Sequence, residues 1–318
     1  MTWLAWRQHR QQALFGAVSF AVLAVFLLLT GRHMHSVFGS SGLSHCLATR
    51  SHGDCGDLES GFESRFGTLR QLVPFLMVLP GLVGLFWGAP LLARELEQGT
   101  HRLVWTQGVG RIRWLAAKLA FVLGVTLLFA FAFAALITWW LGPLNQSTGS
   151  RFQPGIFDQQ GIVPVAYTVF ALALGVAAGA ILGRTLPAMA VTLVGFLAPR
   201  LAVGAALRRH YESPVKMATA PVPGVDLSHA GDWVLSSYTL DGHGRRVGIF
   251  EVASTCRGKG STVQAVSSCI HRHGFLEVSV FQPAGRFWLF QGIEAALYGG
   301  MALALLALAV YWVDRRIS

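Results

Sequence analysis

Apolar residues along this chain collect in six long runs, at 13–30, 71–93, 119–141, 165–183, 186–207 and 288–313, and charge is confined largely to the intervals between them. A helix rises about 1.5 Å per residue, so a hydrocarbon layer of ~30 Å takes roughly 20 apolar residues to cross. Each run approaches that length, and the pattern predicts six transmembrane helices. Four runs hold no Asp, Glu, Lys or Arg, whereas the fifth holds Arg200 and the sixth Glu294. Ahead of the first run, Trp3, Trp6, Arg7, Arg10 and Leu14 fall on or near one side of a helix, which predicts an interfacial amphipathic segment over 1–12. The first run lacks a small-residue cleavage site and reads as a span, not as a signal peptide.

Composition agrees: the 318 residues are 53% hydrophobic and only 13% charged, with a mean hydropathy of +0.52. Orientation follows from Lys and Arg, which resist translocation when they lie in short connections. With the N-terminus inside, the cytoplasmic pieces hold Arg7, Arg10, Arg94, Arg102, Arg111, Arg113, Lys118, Arg184, Arg315 and Arg316. The short outer loops hold Arg32, Arg50, Arg65, Arg70 and Arg151. Both termini are therefore expected in the cytoplasm and the chain in the plasma membrane. The net charge of +10 is scattered over both faces and forms no basic and aromatic stripe, so nucleic acid is not an expected partner.

All four cysteines then fall outside, where thiols oxidise. Cys46 with Cys55 and Cys256 with Cys269 make two short-loop disulfides the natural pairing. The rival is a metal site, because His33, His35, His45 and His52 crowd the first pair, but the spacing matches no zinc pattern. His271 and His273 read as solvated loop residues.

The long segment 208–287 reads as a small extracellular domain between spans five and six. Alternating runs at 233–238, 247–252 and 276–281 predict strands, with Asp241-Gly242 as a hairpin turn between the first two. So small a core needs the second disulfide as a staple. The predicted fold is thus an all-α polytopic membrane protein with a small disulfide-stapled, β-containing domain. Its parts are 1–12, the spans at 13–207 with a loop at 94–118, the domain at 208–287, and the last span and tail at 288–318.

Arg200 and Glu294 are charges placed in hydrocarbon, which is costly enough to demand a partner. Both lie ~10 Å below the outer ends of adjacent antiparallel spans. A direct salt bridge would satisfy both, either as a packing lock or as part of an outer gate.

Enzymatic readings are weak. Arg257-Gly258-Lys259-Gly260-Ser261 has the outline of a nucleotide-binding loop, but Ala253 stands where its first glycine is needed and Gly260 where Ser or Thr must follow the lysine. No Gly-x-Ser-x-Gly elbow or His-Glu-x-x-His helix occurs, and no residue is assigned a catalytic or metal-binding role.

The polar interval after the second run remains. Pro80-Gly81, Gly84, Gly88-Ala89-Pro90, then Arg94-Glu95-Leu96-Glu97-Gln98-Gly99-Thr100-His101-Arg102-Leu103, Trp105-Thr106-Gln107 and Arg113-Trp114 with Lys118 resemble the permease subunits of type-2 ABC exporters, closest to a branch common in actinobacteria. The opening Met1-Thr2-Trp3-Leu4-Ala5-Trp6-Arg7, the turn Arg184-Thr185-Leu186-Pro187, and Gln282-Pro283-Ala284-Gly285-Arg286 with Gln291 and Glu294 extend the resemblance nearly end to end. It implies a permease that pairs as a homodimer or heterodimer in the lipid bilayer and recruits separate cytoplasmic ABC ATPase subunits. ATP and Mg would be bound there, with no cofactor in this chain. The 94–118 loop would be the coupling element. In that element Thr100 would cap a short helix started at Gly99, Leu103, Val104 and Trp105 would give apolar contact, and Arg94, Glu95, Glu97 and Arg102 would form a charged rim, with Arg184 in the second cytoplasmic turn. The cargo expected of such an exporter is a hydrophobic or amphipathic compound, drug-, antibiotic- or lipid-like. The alternative is a non-transporting membrane sensor that binds a ligand through its outer domain.

Overall fold

The structure is a computed structural model that describes residues 2–49, 55–99, 110–149, 151–220, 231–256 and 263–316. Six helices among these residues are long and apolar enough to cross a membrane: Leu14–Ser40, Gly56–Glu97, Arg111–Trp140, Val163–Leu182, Thr185–His210 and Ala284–Arg315, here the first to sixth spans. The backbone is helical without interruption from Thr2 to Ser40, so no turn separates an interfacial segment from the first span.

The second span begins well before the apolar run at 71–93. Its leading part, Gly56–Leu72, is amphipathic and buries Phe62 and Phe66. The helix then changes pitch repeatedly, passing through a tight stretch at Val73–Val78, α-helix at Leu79–Val83, a wide π turn at Gly84–Gly88, and α-helix again at Ala89–Glu97. Pro74, Pro80 and Pro90 explain much of this, since each removes a backbone donor and crowds the turn before it.

The fourth span is the hub. It is 72% buried over its most apolar window, against 11–33% for the other five. Small residues let the second span approach it at backbone distance. A Cβ on Gly84 would stand 2.3 Å from the Ala171 carbonyl oxygen, and one on Gly175 would stand 2.4 Å from that of Gly84. Without a hydrophobic drive between helices in lipid, such close packing is a main source of association.

Residues 215–282 supply a four-stranded antiparallel sheet of order β1-β4-β2-β3, with β1 Val215–Thr219, β2 Trp233–Leu240, β3 Arg246–Val247 and β4 Leu276–Gln282. The run at 247–252 is not a strand beyond Val247: Ile249–Cys256 is a helix, joined by the Cys256–Cys269 disulfide to the helix Val263–His273. A two-sided apolar run fits a helix face as well as a strand, and here the bridge and the Phe275 core select the helix. The β2–β3 turn is closed by Asp241, whose Oδ1 accepts the backbone N–H groups of His243 and Arg245, and the left-handed residue is Gly244, not Gly242. Those contacts, led by the Arg245 N–H, hold the Asp241 carboxyl below the usual carboxylate range.

The sheet is packed onto the helices. Trp233 stacks on Phe152 (5.8 Å between centroids), Asp232 accepts the Ala284 N–H, and Gln282 donates to the Glu212 carbonyl. At the same end, the Cys46–Cys55 disulfide ties the short helix Leu43–Thr49 to the start of the second span. His33 faces Arg65 and His35 stacks on Trp139.

Candidate functional site

Two polar constructions stand at opposite ends of the fourth and fifth spans. At the sheet end, four charged side chains meet in the buried interior: Asp158 from the short helical turn Phe157–Gln159, Arg200 and Arg208 from the fifth span, and Glu294 from the sixth. Arg208 Nε donates to Glu294 Oε2 at 2.9 Å and its Nη2 to Oε1 at 2.7 Å, a two-pronged pairing that a guanidinium is shaped to make. The same Nη2 also reaches Asp158, and Arg200 Nη2 lies 3.4 Å from Asp158 Oδ2.

Glu294 is therefore bound by Arg208, and Arg200 is bound by Asp158. The direct Arg200–Glu294 bridge expected from their depths is replaced by a chain of three ion pairs that runs from Glu294 through Arg208 and Asp158 to Arg200. The helix geometry explains the exchange. Eight residues separate Arg200 from Arg208, which in an unbroken α-helix would turn them ~80° apart. Residues Val203–Leu207 form a π turn, which absorbs one extra residue and cuts the offset to ~20°, so both arginines face Asp158. Arg208, assigned by sequence to the outer segment, is a fully buried residue of the fifth span.

Aromatic groups complete the enclosure. The Arg200 guanidinium lies 3.6 Å from the Tyr167 ring centroid and that of Arg208 4.4 Å from the Phe157 ring. The Tyr167 hydroxyl is within hydrogen-bonding reach of Asp158 and Glu294, and the Tyr211 hydroxyl donates to Glu294 at 3.3 Å. Gln291, one turn before Glu294, accepts the Ile162 and Val163 N–H groups at the start of the fourth span and donates to the Phe157 carbonyl. This one side chain caps a helix and fixes the turn that presents Asp158. Two positive and two negative charges leave the cluster neutral, the condition on which burial is tolerable. Asp158 and Tyr167 were missed in the sequence, although Asp158 is the lone carboxylate between residues 141 and 162.

At the other end, the described part of the polar loop is bound to its neighbours. Glu95 pairs with the buried Lys118, whose ammonium also lies 4.5 Å from the Trp114 ring centroid. Glu97 Oε2 accepts the Thr185 N–H at 3.1 Å and its hydroxyl at 2.8 Å, capping the fifth span from a different helix. The two carboxylates thus make internal contacts with the third and fifth spans, while Arg94 and Arg184 stay exposed. Gly99 has φ +69° and closes the second span, where only glycine sits without strain; it ends a helix where the sequence suggested a start. Thr100, Arg102, Leu103, Val104 and Trp105 lie outside the described residues.

A family model described as ABC-2 membrane transporter related matches residues 17–208, well over half of the 318. The chain belongs to that family. No curated protein and no solved structure matches it. Membership in the ABC-2 family makes the chain a transporter's membrane subunit and implies association with an ABC ATPase. The matched region takes in Asp158, Arg200, Arg208 and the bolted polar loop, and stops short of the sheet and Glu294.

Proposed function

We propose that this ABC-2 subunit is the permease of an ATP-driven exporter for a hydrophobic or amphipathic compound, with ATP hydrolysed by separate cytoplasmic subunits docked on residues 98–110. The observation that carries the reading is the double bolt at the loop's roots. The Glu95–Lys118 pair and the Glu97–Thr185 cap tie this interval to the third and fifth spans. Force applied there enters two membrane helices at once. The fifth span carries it toward Arg200 and Arg208, so the charge cluster is the element that opens or stays shut at the far end. In this reading both termini and the loop are cytoplasmic, the disulfides and the sheet are extracellular, the sheet segment at 208–287 acts as an outer domain, and a second permease copy completes the pathway. Bound ATP and Mg belong to the partner subunit.

The test is capture of the full chain from its native membranes, with co-purified proteins identified by mass spectrometry through their nucleotide-binding-loop peptides. Wild type should retain an ABC ATPase and Leu103→Asp should lose it, while the variant's thermal unfolding stays unchanged. Equal retention by both would place the docking surface elsewhere. Absence of any ATPase from the wild-type capture would favour the sensor reading.

A further inference from the structure

Between the first four spans lies a cavity of about 650 Å³, lined by Phe20, Pro80, Trp87, Phe129 and Phe133 among other residues, with exposed Phe15 and Phe86 at its rim. Among the described residues, no charged side chain lines it. Its volume falls within the range of small-molecule sites, and such sites combine apolar walls with a few placed polar groups.

One hydroxyl sets this cavity apart from a gap in lipid-facing packing. A threonine within a helix ordinarily returns its hydroxyl to the carbonyl four residues earlier, and Thr30, Thr138, Thr168 and Thr192 do so at 2.6–2.7 Å. Thr126, in the cavity wall, does not: its Oγ1 is buried without a hydrogen-bond partner, and the residue is 1% exposed. Thr126 stands near the middle of the third span, so this hydroxyl sits deep in the hydrocarbon layer, where an unmet polar group is costly.

We infer that the cavity is a binding site for an uncharged, drug-sized apolar molecule carrying one hydroxyl or carbonyl, which pairs with Thr126 once rotation about its Cα–Cβ bond turns the enclosed hydroxyl to the cavity. A lipid acyl chain would fill the walls but bring no polar group to mid-membrane and leave Thr126 unmet. A charged compound would find no counter-charge among the described lining residues. The inference rests on the exporter reading in that it names the cargo class, yet binding requires only this chain.

Benzophenone is a suitable probe, since it has two aromatic rings, a single carbonyl acceptor, and photochemistry that marks its own site. Full-length protein in nanodiscs would be irradiated with a concentration series and the adducts mapped by mass spectrometry. Adducts are expected on peptides holding Phe20, Leu79 and Phe129, saturating in wild type. Thr126→Val, which keeps the shape and removes the hydroxyl, should weaken half-saturation roughly fivefold, the worth of one neutral hydrogen bond. Thr126→Ser should restore it, and Ala130→Phe, which fills the cavity, should abolish labelling there. Unchanged affinity in Thr126→Val would show a cavity for plain hydrocarbon such as a lipid tail and overturn the proposal, as would adducts confined to other spans. Because no ATPase is present, loss of ATPase capture in the preceding experiment leaves this result standing.

Discussion

Removing the Arg208 guanidinium should cost far more than its exposure to any partner or cargo would suggest. Arg208→Met leaves Asp158 with Arg200 but leaves Glu294 with tyrosine hydroxyls alone, a buried carboxylate stripped of its cation. Breaking one side of such a pair costs about 3–5 kcal/mol, whereas replacing both sides with apolar groups restores much of it. Glu294→Leu alone strands part of the Arg208 charge in the same way, although Asp158 still holds it. The double variant Arg208→Met/Glu294→Leu leaves Asp158 and Arg200 as a balanced pair and should lie at least about 2 kcal/mol above the sum of the two singles. For a chain of this size each kcal/mol is worth roughly 2 °C, so the Arg208 single should lower the midpoint of unfolding by roughly 6–10 °C. Tryptophan fluorescence of detergent-purified protein at a fixed scan rate measures it. The comparison cycle uses Arg200→Met with Glu294→Leu, two residues in no direct ion pair, linked through Asp158 and Arg208 and by their common neighbour Tyr167, which should couple less. If Arg200 and Glu294 couple as strongly as Arg208 and Glu294, the partner assignment and the π-turn explanation for it are both wrong.

Gly175→Ala places a methyl 2.4 Å from a backbone oxygen of the second span, which cannot swing away, and should destabilise the protein by at least about 1–3 kcal/mol in the same assay. Glu97→Ala uncaps the fifth span and should speed hydrogen exchange over 185–188 while leaving the peptides around Arg208 protected; no change at 185–188 would dismiss the cap. The Asp241 turn should respond to pH with a definite sign. Its carboxyl is held below the ordinary range, so the ordering it provides is present above the unfolded value of ~3.9 and lost as pH falls through the lower folded value. Exchange protection of 241–247 should therefore exceed that of Asp241→Ala at neutral pH and converge with it in acid. A membrane-impermeant maleimide applied to intact cells after mild reduction should label Cys46, Cys55, Cys256 and Cys269, and labelling only after lysis would invert the proposed orientation.

The spans were legible because hydrocarbon imposes one simple demand, a stretch of apolar residues about as long as the membrane is thick. What the runs concealed was where charge re-enters. Arg208 closes an apolar run beside Arg209 and His210 and so resembles an interfacial flank, and its burial depends on a π turn that no residue pattern announces. Asp158 sits in a loop that is fastened back into the helices by residues far along the chain, Gln291 at 133 positions and Arg208 at 50. Glu95 and Glu97 have the look of a solvent-facing rim until their partners, Lys118 and Thr185, arrive from other helices. Pairwise facts of this kind are absent from a single linear pattern. The disulfides, by contrast, join neighbours in sequence, and two of the strands fall where alternation placed them, at 233–240 and 276–282.

The fourth span carries a consequence for how the molecule is made. It is the most enclosed helix, yet the fifth and sixth spans that enclose much of it are synthesised later. During that interval its face of Tyr167 and Phe170, which in the finished fold packs on Phe196 of the fifth span and Tyr298 of the sixth, borders lipid. A chain interrupted shortly after Leu182 would therefore present that aromatic face with nothing to cover it. Such a surface invites pairing with the wrong helix. The two-residue link Gly183-Arg184 shortens this exposure by bringing the fifth span alongside as soon as it emerges. Order of synthesis, as much as final contacts, gives that link its worth.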